Sequence, residues 1–164
     1  MPDTLPESWQ IFIDHYPQFT KTHRKLATME WFQTGGWSAF IGYYHAGIYM
    51  QVYKHNWFNY SLDGVHFETG LGAENLTAKT LQLDLHVGHR NLFDREKFNE
   101  FTIPRMAEVT QDWDNVVRFS KTNLSDRLSL NIRFTKTGFA KQVATAFQQL
   151  STLAPIIDEG IAHL

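Results

Sequence analysis

Residues 81–87 read LQLDLHV and form the most regular stretch of the chain. Leucines and a valine alternate strictly with Gln82, Asp84 and His86, so apolar and polar side chains would point to opposite sides of a strand. This alternation is typical of a strand with one buried and one polar face, which is common in antiparallel sheets. The stretch therefore predicts a sheet that is covered on one side only.

Other segments with strand patterns extend this sheet on both sides of residues 81–87. Aromatic and β-branched residues favour strands. They are concentrated at residues 37–44, 48–58, 65–69, 116–120 and 128–134. Asp63 and Gly64 precede the third of these segments, and Asp-Gly tolerates the positive φ of a tight turn. We expect a hairpin there, a second hairpin between the last two segments, and a loop at residues 70–78.

Helical spacing of apolar residues predicts helices at both ends of the chain and one in the middle. Pro17 is expected to interrupt or kink the N-terminal helical segment, which a second helix then continues as far as Gly35. Asp94 is a good N-cap for the middle helix, and Pro104 is expected to end that helix. A last helix is predicted to start at about Gly138.

The order of these elements predicts an α+β fold. Helices are followed by a run of strands, a helix, a hairpin and closing helices, and this order favours a mostly antiparallel sheet with helices packed on one face. A length of 164 residues is typical of one domain, and no linker or internal repeat divides the chain. We expect a single globular domain over residues 1–164, with N-terminal and C-terminal helices.

Composition excludes several classes of function. The chain has no cysteine, so disulfides, thiolate metal sites and cysteine nucleophiles are excluded. Its formal net charge is −2 and it has no run of basic residues, which argues against binding of nucleic acid. No signal-like segment and no apolar stretch of about 20 residues is present. A cytoplasmic protein without a membrane segment is therefore expected.

The polar side of the predicted sheet carries four residues of the types that bind metal ions. His66 and Glu68 lie two apart on one predicted strand, and Asp84 and His86 lie two apart on another. Each pair must project to one side of its strand, so neighbouring strands in the right register would bring all four together. Two imidazoles and two carboxylates suit Zn, Mn or Fe(II). The competing interpretation is a water-facing surface with ordinary cross-strand pairs.

Residues 31–68 contain twelve of the 24 aromatic side chains. Such a concentration is typical of a core, of a protein interface or of a ligand-binding surface. Within it, Tyr49, Tyr53, His55 and Trp57 alternate on one face of a predicted strand. These four residues are the candidate surface for a partner or ligand.

No established catalytic motif is complete in this chain. The order of helix, three strands, helix and strand is similar to that of restriction-endonuclease-like nucleases. Their Asp and Glu-x-Lys motif is not met, because Asp63 falls in a turn and His86 stands where lysine is required. A serine-nucleophile elbow and a glycine-rich phosphate loop are also absent.

Two functions are therefore expected from the sequence. The first is a non-catalytic binding or protein-interaction module that uses the aromatic-rich sheet surface to engage a protein partner or to form a homodimer. The alternative is a metal-dependent hydrolase, such as a phosphodiesterase or nuclease, with His66, Glu68, Asp84 and His86 as ligands. No organic cofactor is expected, and a divalent metal ion belongs only to the alternative.

Overall fold

A computed structural model describes residues 4–88, 94–117 and 128–164. The helices in these parts of the chain are α1 (Glu7–Ala27), α2 (Glu30–Thr34), α3 (Ala73–Ala78), α4 (Arg95–Thr110), α5 (Phe139–Ser151) and α6 (Ala154–Ala162). The strands are β1 (Trp37–Tyr44), β2 (Gly47–Lys54), β3 (His66–Gly72), β4 (Thr80–His86), β5 (Val116–Val117) and β6 (Ser129–Arg133).

The strands form one sheet in the order β1-β2-β3-β4-β6-β5, and every neighbouring pair is antiparallel. The predicted α+β fold is confirmed. The alternation in LQLDLHV is also confirmed, since Leu81, Leu83 and Leu85 are at most 2% exposed. Gln82 between them is exposed, and Asp84 and His86 are half-buried.

The two faces of the sheet have different surroundings. Side chains such as Met50, Phe67 and Leu83 point to the helix-covered face and join one hydrophobic core with residues of α1, α4, α5 and α6. Phe19 of α1 meets Phe139 of α5 there, with ring centroids 5.3 Å apart. The opposite side, called the open face below, carries a row of paired residues across four strands. In register order this row is Gln51, Glu68, Asp84 and Ser129.

Two prolines lie inside continuous helices, so the predictions that Pro17 interrupts a helix and that Pro104 ends one are wrong. Pro17 lies inside α1 and Pro104 inside α4. A proline inside a helix costs about 3 kcal/mol. Burial of Phe19 and Leu26 beyond Pro17 offsets this cost, because each large apolar side chain contributes about 1.5–3 kcal/mol when buried. Met106, beyond Pro104, is buried in the same way.

Local signals at several element ends are confirmed. Asp94 caps α4 by accepting a hydrogen bond from the backbone N–H of Lys97 at 3.1 Å. Gly35 is the C-cap of α2, and α5 begins directly after Gly138. The second hairpin exists as the β5–β6 pair, although residues 118–127 of its predicted strand and loop lie outside the described residues. Residues 70–78 form the end of β3 and helix α3 instead of the predicted loop.

The connection between β2 and β3 is longer than the tight turn that was predicted. β2 ends at Lys54 and β3 begins at His66, so residues 55–65 form a loop, called the β2–β3 loop below. This loop wraps around the end of the sheet. Trp57 is fully buried in the core, where it contacts Trp37 and Phe67, whereas Asn59 bonds to side chains of the open face.

Candidate metal centre and ligand pocket

Two histidines face each other across the central strands of the open face. His66 of β3 and His86 of β4 are register partners, and their rings stack with centroids 4.6 Å apart and planes 16° from parallel. Glu68 lies two residues beyond His66 and therefore on the same side of β3. His66 is only 1% exposed, whereas Glu68 and His86 are half-buried. The predicted adjacency and register of the two strands are thus both present.

A chain of buried amides fixes which nitrogen of His66 carries a proton. The side-chain amide of Gln51 donates to the backbone carbonyl of Leu62 at 3.1 Å, so its oxygen is left to accept from Asn59 Nδ2 at 3.0 Å. Asn59 Oδ1 then accepts from the backbone N–H of Gly64 and lies 2.9 Å from His66 Nδ1. Since that oxygen can only accept, His66 Nδ1 must be the donor.

His86 is oriented by a carboxylate in a comparable way. Its Nε2 lies 3.2 Å from Asp63 Oδ1, and an ionised carboxylate can only accept, so Nε2 carries the proton. The other ring nitrogen, Nδ1, then carries the lone pair of the neutral ring. Metal-binding histidines commonly have their outer N–H held by a carboxylate or an amide oxygen in this manner.

The inner nitrogens of both rings face the carboxylate of Glu68. His66 Nε2 lies 3.0 Å from Glu68 Oε2, and His86 Nδ1 lies 4.0 Å from Glu68 Oε1. Ligand atoms of all three residues fall within 4.8 Å of one another. Because both atoms of the shorter contact have lone pairs, either a proton or a metal ion must lie between them. These three residues could therefore hold a metal ion.

Asp84 was expected as a fourth ligand, but its carboxylate turns away from the histidines. It lies next to Glu68 in the row, yet Ser129 Oγ of β6 donates to Asp84 Oδ1, and Gln82 Nε2 donates to the same oxygen at 2.9 Å. The register of β6 explains these bonds, because Ser129 of β6 is the direct cross-strand partner of Asp84 on the side of β4 away from β3. We name His66, Glu68 and His86 the His-Glu-His group.

A concave pocket of about 530 Å³ lies beside the His-Glu-His group on the open face. Glu68 and Asp84 contribute the two carboxylates of its lining. Its other polar and aromatic lining residues are Tyr43, Tyr44, Tyr49, Gln51, Thr69, Asn75 and Gln82, together with Gly70. Pockets of roughly 300–1,000 Å³ are typical of sites for small molecules.

The pocket imposes a negative potential on two of its tyrosines. Burial, and secondly the negative charge of Glu68, raise the pKa of Tyr44 and of Tyr49 above the ordinary range of the phenol. Both hydroxyls therefore stay protonated at neutral pH and can donate hydrogen bonds to a ligand.

Titration of these two phenols tests the negative potential. We expect the ring NMR signals of Tyr44 and Tyr49, assigned with Tyr→Phe variants, to shift at higher pH than those of free tyrosine. Glu68→Gln should lower both pKa values part of the way, because burial, the larger cause, remains. Glu74→Gln, which removes an exposed charge from the neighbouring helix α3, should leave them unchanged. Equal effects of the two glutamate variants would contradict this assignment.

The predicted aromatic surface is not formed as one face. Tyr49 lines the pocket, and Tyr53 packs against the core at the other end of β2. His55 is exposed in the β2–β3 loop, and Trp57 is buried in the core. Because β2 ends at Lys54, the alternation that joined the four residues stops before His55. Of the set, only Tyr49 lines the pocket.

The residues that orient the two histidines were not predicted from the sequence. Gln51, Asn59 and Asp63 have no spacing that separates them from ordinary strand and loop residues. The one indication is conformational and becomes visible only in the structure. Phe58 and Leu62 have φ values of 55° and 61°, which cost about 1–3 kcal/mol each for residues with a Cβ. Leu62 supplies the backbone carbonyl that accepts the hydrogen bond from the Gln51 side-chain amide.

Comparisons of the chain with protein-family models, with curated proteins and with solved structures gave no match. Among the described residues, no helix combines the length and apolar character that crossing a membrane requires. Function is therefore inferred from the geometry of the open face.

Proposed function

We propose that the protein binds a divalent transition-metal ion through His66, Glu68 and His86. One observation carries this proposal. Each imidazole has its outer N–H held by an oxygen of the β2–β3 loop, and each presents its inner nitrogen to the same carboxylate. Fixed tautomers lower the cost of ordering the ligands around an ion.

The types of ligand favour a transition metal over calcium or magnesium. Two imidazoles and one carboxylate suit Zn, Mn or Fe(II), whereas hard cations prefer oxygen ligands. Two ligand atoms that bind one ion with bonds of about 2.0–2.2 Å lie somewhat less than 4.0 Å apart. The 4.0 Å distance between His86 Nδ1 and Glu68 Oε1 therefore needs to shorten only slightly. The stacked ring of His86 must turn about its side-chain bonds to direct its lone pair at the ion.

Metal-dependent hydrolysis is a second candidate function, and the pocket beside the group supports it. Sites with three protein ligands leave a coordination position for water or substrate, which is typical of catalytic zinc. A metal ion lowers the pKa of bound water and thereby supplies a nucleophile at neutral pH. The half-buried carboxylate of Asp84, in the same pocket, supplies a base or an orienting group.

Calorimetric titration of the chelator-treated protein with Zn²⁺ and Mn²⁺ tests the metal site. We expect one ion per chain for the wild type and loss of binding in Glu68→Gln. Asp63→Asn should weaken binding by about 10–100-fold, the usual effect of losing the partner of a ligating histidine. His55→Gln is the matched control, because it removes an exposed histidine outside the group and should leave affinity unchanged. Absence of binding in the wild type, or unchanged binding in Glu68→Gln, would reject the site.

A non-catalytic binding module, the first interpretation from the sequence, is supported by a different observation. The described open face carries a pocket with tyrosines and carboxylates, which are residue types suited to holding a small molecule. This function needs no metal ion.

A further inference from the structure

The pocket on the open face has an unusual balance of charge. Its described lining contains no lysine, arginine or histidine, and of its two carboxylates Glu68 is paired with His66 beside the pocket, whereas Asp84 is not paired with a histidine. We propose that this pocket binds a small organic cation, with an alkylammonium group at the carboxylate of Asp84 and its carbon chain against Tyr44 and Tyr49. The proposal does not depend on metal binding at the His-Glu-His group.

Asp84 supplies the first contact in this arrangement. Its hydrogen bonds in the described structure come from Ser129 and Gln82, which are both neutral, so no cation compensates its charge there. Both bonds reach Oδ1, which leaves Oδ2 for a ligand. A half-buried carboxylate held by neutral donors attracts an ammonium group more strongly than an exposed one, because solvent screens it less.

The tyrosines supply the apolar side of the pocket. The rings of Tyr44 and Tyr49 meet edge to face with centroids 5.7 Å apart. The Tyr44 hydroxyl lies over β3 at Gly70, where a Cβ atom would come within 2.6 Å of it. Glycine at position 70 therefore lets the phenol end of Tyr44 approach β3 closely. Aromatic faces next to carboxylates are a common environment for ammonium groups.

The same charges disfavour an anionic ligand. A phosphate or carboxylate in the pocket would face Asp84, whose described hydrogen-bond donors are both neutral, and like charges in a half-buried site repel. A phosphodiester, one of the substrates expected from the sequence, is therefore not the ligand that this lining favours. A volume of about 530 Å³ also fits a small molecule and not a folded partner.

Three probes with the same carbon chain separate charge from shape. Butylammonium, butanol and butyrate are each titrated into the full chain in the presence of a chelator, and binding is followed by NMR shifts of Tyr49 and the Gly70 amide. We expect butylammonium to bind about tenfold more tightly than butanol, which corresponds to about 1.4 kcal/mol, and butyrate not to bind.

Variants assign the binding to this pocket. Asp84→Asn keeps both hydrogen bonds to Oδ1 and should lower the affinity for butylammonium about tenfold, whereas Glu74→Gln removes a nearby exposed charge and should not change it. Tyr49→Leu should reduce the preference for butylammonium over butanol. Equal binding of butylammonium and butanol, no binding of either, or an unchanged affinity in Asp84→Asn would overturn the proposal. Because chelator is present throughout, these outcomes are independent of the metal titration.

Discussion

Replacing Asn59 by leucine is expected to destabilise the protein by roughly 3–9 kcal/mol. The substitution leaves the Gly64 N–H, His66 Nδ1 and Gln51 Oε1 without their partner, and each unpaired buried group costs about 1–3 kcal/mol. Asn59 is only 5% exposed, so water cannot replace the lost bonds without rearrangement of the loop. Few single substitutions outside the core should cost as much.

Urea unfolding followed by circular dichroism measures this effect. Asn131→Leu is the matched control, because it makes the same chemical change at an exposed position of β6, and it should alter stability by less than about 0.5 kcal/mol. If the protein binds metal as proposed, Asn59→Leu should also weaken binding about 10–100-fold, since His66 loses the bond that fixes its tautomer. A loss of stability no greater than that of the control would show that the amide chain does not form.

The second large effect is expected at Asp158 of α6, which joins this helix to the end of β2. Its carboxylate accepts hydrogen bonds from Lys54 Nζ at 2.6 Å, Trp57 Nε1 at 2.8 Å and Asn56 Nδ2 at 3.1 Å. Asp158→Ala leaves the N–H of a fully buried indole unpaired, which should cost about 1–3 kcal/mol. Glu159→Ala, at the adjacent exposed position, should change stability by less than about 0.5 kcal/mol.

The contribution of Asp158 should also depend on pH. Burial alone would raise its pKa, but the hydrogen bonds from Lys54, Trp57 and Asn56 outweigh burial and hold it below the ordinary value. A carboxyl whose pKa is depressed by folding stabilises the protein above its unfolded pKa of about 3.9, and this stabilisation is lost as pH falls through the lower native value.

Unfolding curves at several pH values check the sign. The stability difference between the wild type and Asp158→Asn should be constant near neutral pH and should shrink below about pH 4. Asp158→Asn keeps one acceptor for the indole, so at neutral pH it should cost less than Asp158→Ala. A difference that grows on acidification would contradict the described hydrogen bonds.

Strand patterns and helix caps were predictable because they depend on neighbouring residues. The alternation at residues 81–87 and the cap at Asp94 require only local geometry, and both are present. Pro17 and Pro104 were misjudged because a local penalty was outweighed by burial of side chains beyond them. That burial depends on helices and strands far away in the chain.

The candidate site was predictable in the same partial way. Alternation placed His66 with Glu68 and Asp84 with His86, but strand order and register depend on the whole sheet. Ser129, which holds Asp84 through β6, lies far from it in sequence. The histidine partners in the β2–β3 loop were not predictable, because irregular backbone has no periodicity from which a contact can be inferred.

The alternation in β4 has a further consequence for how this chain can change. A slip of one residue between β3 and β4 would expose Leu81, Leu83 and Leu85 to solvent, so the buried leucines penalise every other alignment. Side chains on the open face are thus held at constant spacing by residues that never touch them. Substitutions on the open face that keep these leucines should therefore preserve the register of the central strands. Insertions within β4 should not preserve it, because they shift the leucines relative to β3.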